Sequence, residues 1–273
     1  MPRIDPTSRV ADGAKLADDV EIGPFCTVGS TVELRAGVQL LSHVNLSGVT
    51  TVGERTVVYP FASLGTPPQS TGYRGGATRL TIGADCRIRE GVTISTGLED
   101  HGALTTVGDR CFLMANSHVG HDCHVGSDVT FANGAVLGGH VVVGDHVFIG
   151  GNAAVHQFVR IGEGAMIGGL SGITRDVIPF GFAFGSKADL VGLNVVGLRR
   201  RKFNRTDIHR IRHAYRVLFF GNAVFADRLQ QMSDEFSADA VVGRIIDFIR
   251  GGGTRSLMMP ASANASSDAD GAP

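Results

Sequence analysis

Histidines crowd into one stretch of this chain, and histidine is the side chain whose pKa best suits proton transfer near neutral pH. His121 is followed directly by Asp122, and a carboxylate beside an imidazole can orient it as a general base. A zinc site built from histidine nitrogens is the alternative chemistry, and solvated histidines at turns are the simplest structural explanation. His156 lies a little further along. The five crowded histidines are His118, His121, His124, His140 and His146.

A second group of residues is strongly basic. Residues 199–216, RRRKFNRTDIHRIRHAYR, hold seven arginines and one lysine against one aspartate, in a chain whose formal net charge is −1. Such segregated charge fits a phosphate-bearing ligand, an acidic partner protein or nucleic acid. The near-neutral charge of the whole chain gives no general case for nucleic acid, so we do not expect a nucleic-acid partner.

A repeat of six residues must position these groups. Apolar side chains occupy every sixth position from Ile4 to Leu64, from Ile82 to Ile94 and, after a slip of one residue, from Val107 to Ile173. Glycine, at 38 of 273 residues, commonly follows the apolar position. A period of six fits neither an α-helix nor a plain alternating strand, and it indicates a solenoid in which each hexad is a short strand and a turn. The same register points all four cysteines inward: Cys26, Cys86, Cys111 and Cys123.

Two interruptions of the repeat fall at residues 65–81 and 95–106. Insertions in a solenoid loop out of one face and often build its binding site. We therefore expect residues 1–189 to form one hexad domain with these two insertions.

The rest of the chain has a different composition. Residues 190–255 are expected to form a C-terminal helical domain, with Asn204 capping a helix over 205–220 and further helices over 223–235 and 238–250. Residues 256–273 have the small and polar composition of a disordered tail. The chain has no apolar leader and no long apolar run, which predicts a cytoplasmic protein without stable membrane insertion.

Four segments of the chain carry a resemblance: SHVGHDCHVG (117–126), GGHVVVGD (138–145), AVHQF (154–158) and GLNVVGLRRRKF (192–203). With the hexads, they resemble the hexapeptide-repeat acyltransferases, and among these the acyl-[acyl-carrier-protein]–UDP-N-acetylglucosamine O-acyltransferases that open lipid A biosynthesis. The resemblance implies a mainly β fold. This fold is a left-handed parallel β-helix of hexapeptide repeats with a small C-terminal α-helical domain.

The resemblance also implies roles for individual residues. The general base falls on His121, supported by Asp122, and the backbone N–H that holds the oxyanion falls on Gly139. The positions that limit acyl-chain length fall on Gly169 and Met166. The substrate-contact positions fall on His118, His140, His156, Gln157, Gln69, Asn194, Arg200 and Arg201.

The implied reaction transfers an (R)-3-hydroxyacyl group from the phosphopantetheine thioester of acyl carrier protein to the 3-hydroxyl of UDP-N-acetylglucosamine. It uses no metal and no cofactor bound to the enzyme itself. The implied partners are acyl carrier protein, which would dock on the basic segment, the UDP-sugar, and two further copies of the chain in a homotrimer.

Four positions depart from the family pattern and leave the acceptor sugar open. Ser70 and Gly72 replace an aspartate and a lysine, Ser95 replaces a histidine, and Val196 replaces a glutamate. These losses raise the alternative of a 3-amino-3-deoxy UDP-sugar acceptor, which would yield an amide. Further alternatives are the related N-acyltransferase of the lipid A pathway, a zinc enzyme of the carbonic anhydrase type, and a scaffold that binds partners through its basic helices.

Overall fold

The computed structural model describes residues 1–261 and shows a solenoid of short strands. Within these residues, 28 strands form three sheets that run along the solenoid. Each repeat strand pairs in parallel with the strand one coil further on, so that Ile4 lies beside Ile22 and Val10 beside Val28. One coil therefore takes 18 residues and contributes one strand to each sheet. This is the predicted left-handed parallel β-helix.

We call the three sheets A, B and C. Sheet A contains β1 (Arg3–Ile4), β4 (Glu21–Ile22), β7 (Gln39–Leu40), β10 (Val57–Val58), β13 (Arg87–Ile88), β16 (Phe112–Leu113), β19 (Thr130–Phe131), β22 (Phe148–Ile149), β25 (Met166–Ile167), β27 (Gly181–Phe184) and β28 (Asp189–Leu193). Sheet B contains β2 (Arg9–Val10), β5 (Thr27–Val28), β8 (Asn45–Leu46), β11 (Ser63–Thr66), β14 (Thr93–Ser95), β17 (His118–Val119), β20 (Val136–Leu137), β23 (Ala154–Val155) and β26 (Gly172–Ile173). Sheet C contains β3 (Lys15–Leu16), β6 (Glu33–Leu34), β9 (Val49–Val52), β12 (Arg79–Ile82), β15 (Leu104–Val107), β18 (His124–Val125), β21 (Val142–Val143) and β24 (Arg160–Ile161).

The apolar member of each hexad fills the interior. Leu40, Val58, Ile88 and Leu113 follow one another through sheet A, and each is almost completely buried. The residue before each of them faces outward, which is the alternation expected of a strand with one buried face. Burial of one such side chain contributes about 1.5–3 kcal/mol. The four cysteines are buried and unpaired, which confirms their predicted inward orientation.

Two loops leave this frame without shifting it. Residues 67–78 separate β11 from β12, and residues 96–103 separate β14 from β15. Both loops are shorter than the interruptions in the repeat, because the flanking residues extend the strands, and β12 pairs over four residues with both of its neighbours. Beyond the loops, Val58 still pairs with Ile88 and Ile94 with Val119. The coils on either side therefore stay in register.

The C-terminal part begins where β27 and β28 form an antiparallel hairpin at the end of sheet A. The helices are α1 (Val195–Arg200), α2 (Arg205–Phe220), α3 (Phe225–Glu235) and α4 (Ala240–Arg250). The helix predicted over 205–220 is confirmed, and the side chain of Asn204 caps it by accepting the Asp207 N–H at 2.8 Å. α2 packs against α3 and α4. None of the helices in residues 1–261 has the length and apolar composition that a membrane crossing requires.

Residues 256–261 differ from the predicted disordered tail. Met258 is completely buried, and its N–H donates to Asp176 O at 2.8 Å. Asp176 N–H in turn donates to Ser256 O at 2.9 Å, so this segment lies against the last coil. The apolar side chains of Leu257 and Met258 are the physical reason, because their burial offsets the loss of chain entropy. The rest of the predicted tail, residues 262–273, lies outside the described residues.

Candidate active site

The predicted catalytic residues lie at the corner where the chain turns from sheet B to sheet C. Three successive coils form this corner through residues 120–122, 138–140 and 156–158. Residues 18 apart stand above one another, so Asp122, His140 and Phe158 form one column. All three adopt a left-handed φ, between 56° and 67°, as corner residues do throughout the solenoid. The column is therefore a product of the coil geometry.

His121 and Asp122 form a hydrogen-bonded pair. Nδ1 of His121 lies 2.9 Å from Oδ2 of Asp122, whose side chain is only 3% exposed. The N–H of Leu98 donates to both carboxylate oxygens at 3.0 and 3.1 Å, and Thr105 Oγ1 accepts the Asp122 N–H at 2.9 Å. A carboxylate accepts only, so it selects the imidazole tautomer with hydrogen on Nδ1. Nε2 is then the unprotonated nitrogen that can remove a proton.

His140 packs against this pair from the next coil. Its ring meets the His121 ring edge to face at a centroid distance of 4.9 Å, and its Nδ1 lies 3.8 Å from Asp122 Oδ2. On its other side it stacks on Phe158 at 4.5 Å, with the two ring planes 3° apart. Both His121 and His140 are less than one fifth exposed. The stacked rings therefore restrict how His121 can rotate.

Gly139 lies directly beside the His121 ring. A β-carbon at Gly139 would lie 2.5 Å from Nε2 of His121 and 2.9 Å from Nδ1, so only glycine leaves room for the ring. Gly139 is buried, and within residues 1–261 its N–H has no hydrogen-bond acceptor. The N–H is therefore available to an oxygen of a substrate. It has the position that an oxyanion donor needs, next to the candidate base.

His118 faces outward on β17, the strand that leads directly into the corner of His121. Its Nδ1 lies 2.7 Å from Thr93 Oγ1 on the neighbouring strand. Burial lowers the pKa of His118, the hydrogen bond with Thr93 raises it, and the neighbouring His121 lowers it further. Burial therefore favours the neutral form of His118.

The two insertions connect to this corner. Leu98, in the second insertion, supplies the N–H that holds Asp122. Glu99 accepts the N–H groups of Gly76 at 2.5 Å and Arg74 at 3.2 Å, which ties the first insertion to the second. Gln69 is exposed in the first insertion.

The four positions that depart from the family pattern have different surroundings. In the first insertion, the N–H of Gly72 donates to Ser70 Oγ at 3.2 Å. Ser95 is buried at the end of β14, whereas Val196 is exposed on α1.

His156 and Gln157 lie in the third coil of the corner and are exposed. They contact neither His121 nor His140 through a hydrogen bond within the described chain. Their partner is Arg255, which donates to His156 Nδ1 at 2.7 Å and to Gln157 O at 3.0 Å.

The predicted substrate-contact residues in the C-terminal part differ in whether their side chains already have partners. Asn194 caps α1 by accepting the Gly197 N–H at 2.9 Å, and its amide donates to Gly164 O at 3.0 Å. Arg201 is paired with Glu163 and lies over the Phe203 ring. Arg200 is exposed, and it makes no ion pair with any residue in the range 1–261.

The predicted acyl-length residues lie near an apolar part of sheet A. Met166 faces outward on β25, between Phe148 and Phe182 of the neighbouring strands. A β-carbon at Gly169 would lie 3.2 Å from Gly151 O, so this corner has little space for a larger side chain.

The His121, Asp122 and His140 group also has the composition of a metal site. It is the group of three possible metal-ligating side chains found in residues 1–261, and its ligand atoms all lie within 4.8 Å of one another. The carboxylate of Asp122 already accepts hydrogen bonds from His121 and from Leu98. The arrangement therefore fits a base and its orienting carboxylate better than a zinc centre.

Several residues that help to build the site could not be, or were not, predicted from the sequence. Phe158 could have been found, because it follows His140 by 18 residues and must share its column. Leu98, Thr105 and Arg255 carried no such signal. Leu98 acts through its backbone, and Arg255 reaches the site from a segment that was expected to border a disordered tail.

Comparisons with known proteins agree with this geometry. Residues 176–258 match the family described as UDP N-acetylglucosamine O-acyltransferase, domain 2, and residues 104–139 and 140–175 match the bacterial transferase hexapeptide family. The acyl-[acyl-carrier-protein]–UDP-N-acetylglucosamine O-acyltransferase of Azorhizobium caulinodans is 57% identical over 258 residues, 94% of this chain and 95% of the relative. The enzyme of the same name from Rhizobium johnstonii is 46% identical over the same shares.

Solved structures show the same relationship. The UDP-N-acetylglucosamine acyltransferase of Francisella novicida superposes with a TM-score of 0.92 at 30% identity, covering 96% of each chain. The Moraxella catarrhalis UDP-N-acetylglucosamine O-acyltransferase gives 0.90 at 35% identity, covering 93% of this chain and 99% of the other. Identity at this level over nearly the full length leaves one assignment: the chain belongs to the UDP-N-acetylglucosamine O-acyltransferase family.

Proposed function

We propose that this protein transfers an (R)-3-hydroxyacyl group from acyl carrier protein to the 3-hydroxyl of UDP-N-acetylglucosamine, the first step of lipid A biosynthesis. The observation that carries the proposal is the His121–Asp122 pair, 2.9 Å apart with its carboxylate buried, beside the N–H of Gly139, which has no acceptor in residues 1–261. Acyl transfer to an alcohol needs these two elements, a base for the hydroxyl proton and a donor for the oxyanion.

The reaction follows from the roles of these groups. Nε2 of His121 removes the proton of the sugar 3-hydroxyl as its oxygen attacks the thioester carbonyl carbon. A C–O bond forms, and the negative charge on the carbonyl oxygen is held by the Gly139 N–H. When the intermediate collapses, the C–S bond breaks and the protonated His121 returns its proton to the leaving thiolate. Asp122 stabilises the imidazolium in between.

The relatives favour ester formation over the alternatives. The relatives quoted above are named as O-acyltransferases of UDP-N-acetylglucosamine, at up to 57% identity. Neither a 3-amino acceptor nor a zinc-dependent reaction gains comparable support.

The remaining predicted site residues enter the proposal as substrate contacts, as supports for those contacts, or as limits on acyl-chain length. His118, His140, His156, Gln157 and Gln69 border the corner or the first insertion and would bind the sugar and diphosphate. Arg200, which has no ion pair in residues 1–261, is best placed among the arginines to bind a phosphate. Asn194 and Arg201 would hold α1 and the coil together around it. Gly169 and Met166 would limit the length of the acyl chain beside the apolar face of sheet A.

The basic surface of α1 and α2 is the proposed docking site for the carrier protein. Its exposed members Arg199, Arg205, His209, Arg212 and Arg216 have no acidic partner in the part of the chain that the structure describes. Two cavities of about 560 and 520 Å³ lie on this surface and share His209 and Arg212. An acidic carrier protein would complement this charge.

We propose a homotrimer in the cytoplasm as the working form. Exposed Phe25 and Phe61, which flank His43 at centroid distances of 5.0 Å, support association with another copy. Light scattering should then give three times the chain mass of 28.6 kDa. A monomer would contradict this part of the proposal.

The reaction itself is tested by incubating the full chain with UDP-N-acetylglucosamine and a panel of 3-hydroxyacyl carrier proteins. Mass spectrometry should show one added 3-hydroxyacyl group, and mild base should release it, because an ester is labile where an amide is not. His121→Ala should lower kcat by about 10²–10⁴-fold. His146→Ala is the matched control, since His146 is also a corner histidine near a carboxylate, 3.8 Å from Asp128. Transfer only to a 3-amino analogue, or full activity of His121→Ala, would refute the proposal.

A further inference from the structure

The segment after α4 is fixed to the β-helix on both sides of Arg255. On one side, a β-carbon at Gly253 would lie 2.5 Å from Asp176 Oδ2 and 2.6 Å from Arg160 Nε, so this glycine packs directly on an ion pair whose carboxylate is buried. On the other side, Met258 is completely buried and bonded to Asp176 O. Arg255 therefore projects from a backbone with little freedom to move.

The guanidinium of Arg255 spans two neighbouring residues of the candidate site. Nε donates to Gln157 O at 3.0 Å, and Nη2 lies 2.7 Å from Nδ1 of His156. These contacts join positions 98 and 99 residues apart in the chain. Through these contacts Arg255 links the C-terminal segment to the corner of sheets B and C.

The contact decides which nitrogen of His156 carries hydrogen. Arginine has five N–H donors and no acceptor, so Nδ1 must accept from it. Nδ1 of His156 also lies 3.2 Å from Gln157 O, and two acceptors this close would repel each other. The fork of the guanidinium resolves this by donating to both. The neutral His156 ring then carries its hydrogen on Nε2.

We propose that Arg255 is a positioning residue that holds His156 as the Nε2–H tautomer, so that Nε2 donates a hydrogen bond to an oxygen of the UDP-sugar. The proposal rests on the proposed function, which places His156 among the substrate contacts. It makes the C-terminal segment, which follows the helices, a part of the substrate site.

A double-mutant cycle on the full chain tests this. Arg255→Ala should raise KM for UDP-N-acetylglucosamine about tenfold, the scale of one hydrogen bond to a charged group, with kcat changed less than threefold. In a His156→Ala background the same replacement should change KM less than twofold. Arg255→Lys keeps a cationic donor group without the planar fork and should recover part of the loss. Arg250→Ala is the matched control, because the side chain of Arg250 bonds Gln230 at 3.2 Å and no other side chain in residues 1–261.

The outcomes that would overturn the positioning role of Arg255 are specific. Equal effects of Arg255→Ala in the two backgrounds, or a parallel loss of kcat and melting temperature, would overturn the positioning role. If the substituted chain does not fold, ¹⁵N NMR of the unsubstituted protein decides, since His156 Nδ1 should show the shift of an unprotonated acceptor and a protonated Nδ1 would refute the proposal. Activity of the unsubstituted chain in the same assay separates failure of this inference from failure of the proposed function.

Discussion

The imidazole of His121 occupies the space that a methyl group on Gly139 would need. Gly139→Ala should therefore displace the ring while leaving the buried core intact. We expect kcat to fall by roughly 10²-fold, because small displacements of a reacting group have effects of this size. Steady-state turnover and a thermal melt on the same sample check both parts.

Gly29→Ala provides the comparison for this substitution. Gly29 is also a corner glycine, but its β-carbon would lie 3.4 Å from Leu46 O, an ordinary contact. Its activity should stay within twofold of the unsubstituted protein. Normal turnover by Gly139→Ala would show that the ring does not need its observed position.

Asp122→Asn should lower kcat by roughly 10²-fold with little change in the fold. Asparagine tolerates the left-handed φ of 56° at this position. It offers one acceptor oxygen, however, whereas Asp122 accepts from both the Leu98 N–H and His121 Nδ1. The amide would therefore favour the wrong tautomer of His121. Single-turnover measurements on Asp122→Asn and on the corner control Asp128→Asn check this, and equal rates for the two would contradict it.

Arg200→Ala and Arg201→Ala should have different consequences. Arg201 is mostly buried, pairs with Glu163 and lies over Phe203, so its removal should lower the melting temperature. Arg200 has no such partner in residues 1–261, so its removal should raise KM for the UDP-sugar several-fold at unchanged stability. The two melts and the two KM values measure this. A drop in melting temperature for Arg200→Ala alone would reverse the assignment.

The stability of the protein should decrease at mildly acid pH through His118. Burial lowers its pKa below the usual 6.5, so the folded chain binds fewer protons than the unfolded chain in that range. The free energy of unfolding should therefore fall as pH drops below about 6.5, by at most about 1.4 kcal/mol per pH unit, and level off below the lowered pKa. The free energy of unfolding, measured with urea between pH 7.5 and about 5, should depend less steeply on pH in His118→Gln than in the unsubstituted protein. An equal pH dependence in the two proteins would contradict the prediction.

The solenoid could be predicted because its information is local and repeated. The buried position of each hexad is visible within the hexad itself, so Leu40 and Leu113 could be assigned to the core from the period alone. The helix capped by Asn204 could be predicted from the spacing of its apolar residues. The lengths of the insertions could not be predicted, because β12 is extended by pairing with β9 and β15 and no local sequence pattern indicates this pairing.

The site divides in the same way. His121 and Asp122 are adjacent in sequence, and Gly139 and His140 follow about one coil later, so their proximity follows from the period. The N–H of Leu98 and the guanidinium of Arg255 come from segments outside the repeat, and no spacing rule connects them to the corner. Their contributions depend on how the insertion and the C-terminal segment fold back on the coils.

The 18-residue coil gives the site a screw symmetry with three steps per turn. Removing one hexad between Asp122 and His140 would keep every aliphatic side chain inside, but it would rotate all later residues by one third of a turn. His140 and Phe158 would then leave the edge occupied by His121, although the core would be as well filled as before. The looped-out insertions avoid this because they add length without adding rotation. The number of hexads between the catalytic groups determines which edge of the solenoid each group occupies. Hydrophobic burial is the same for every such number, so it does not by itself keep the catalytic groups on one edge.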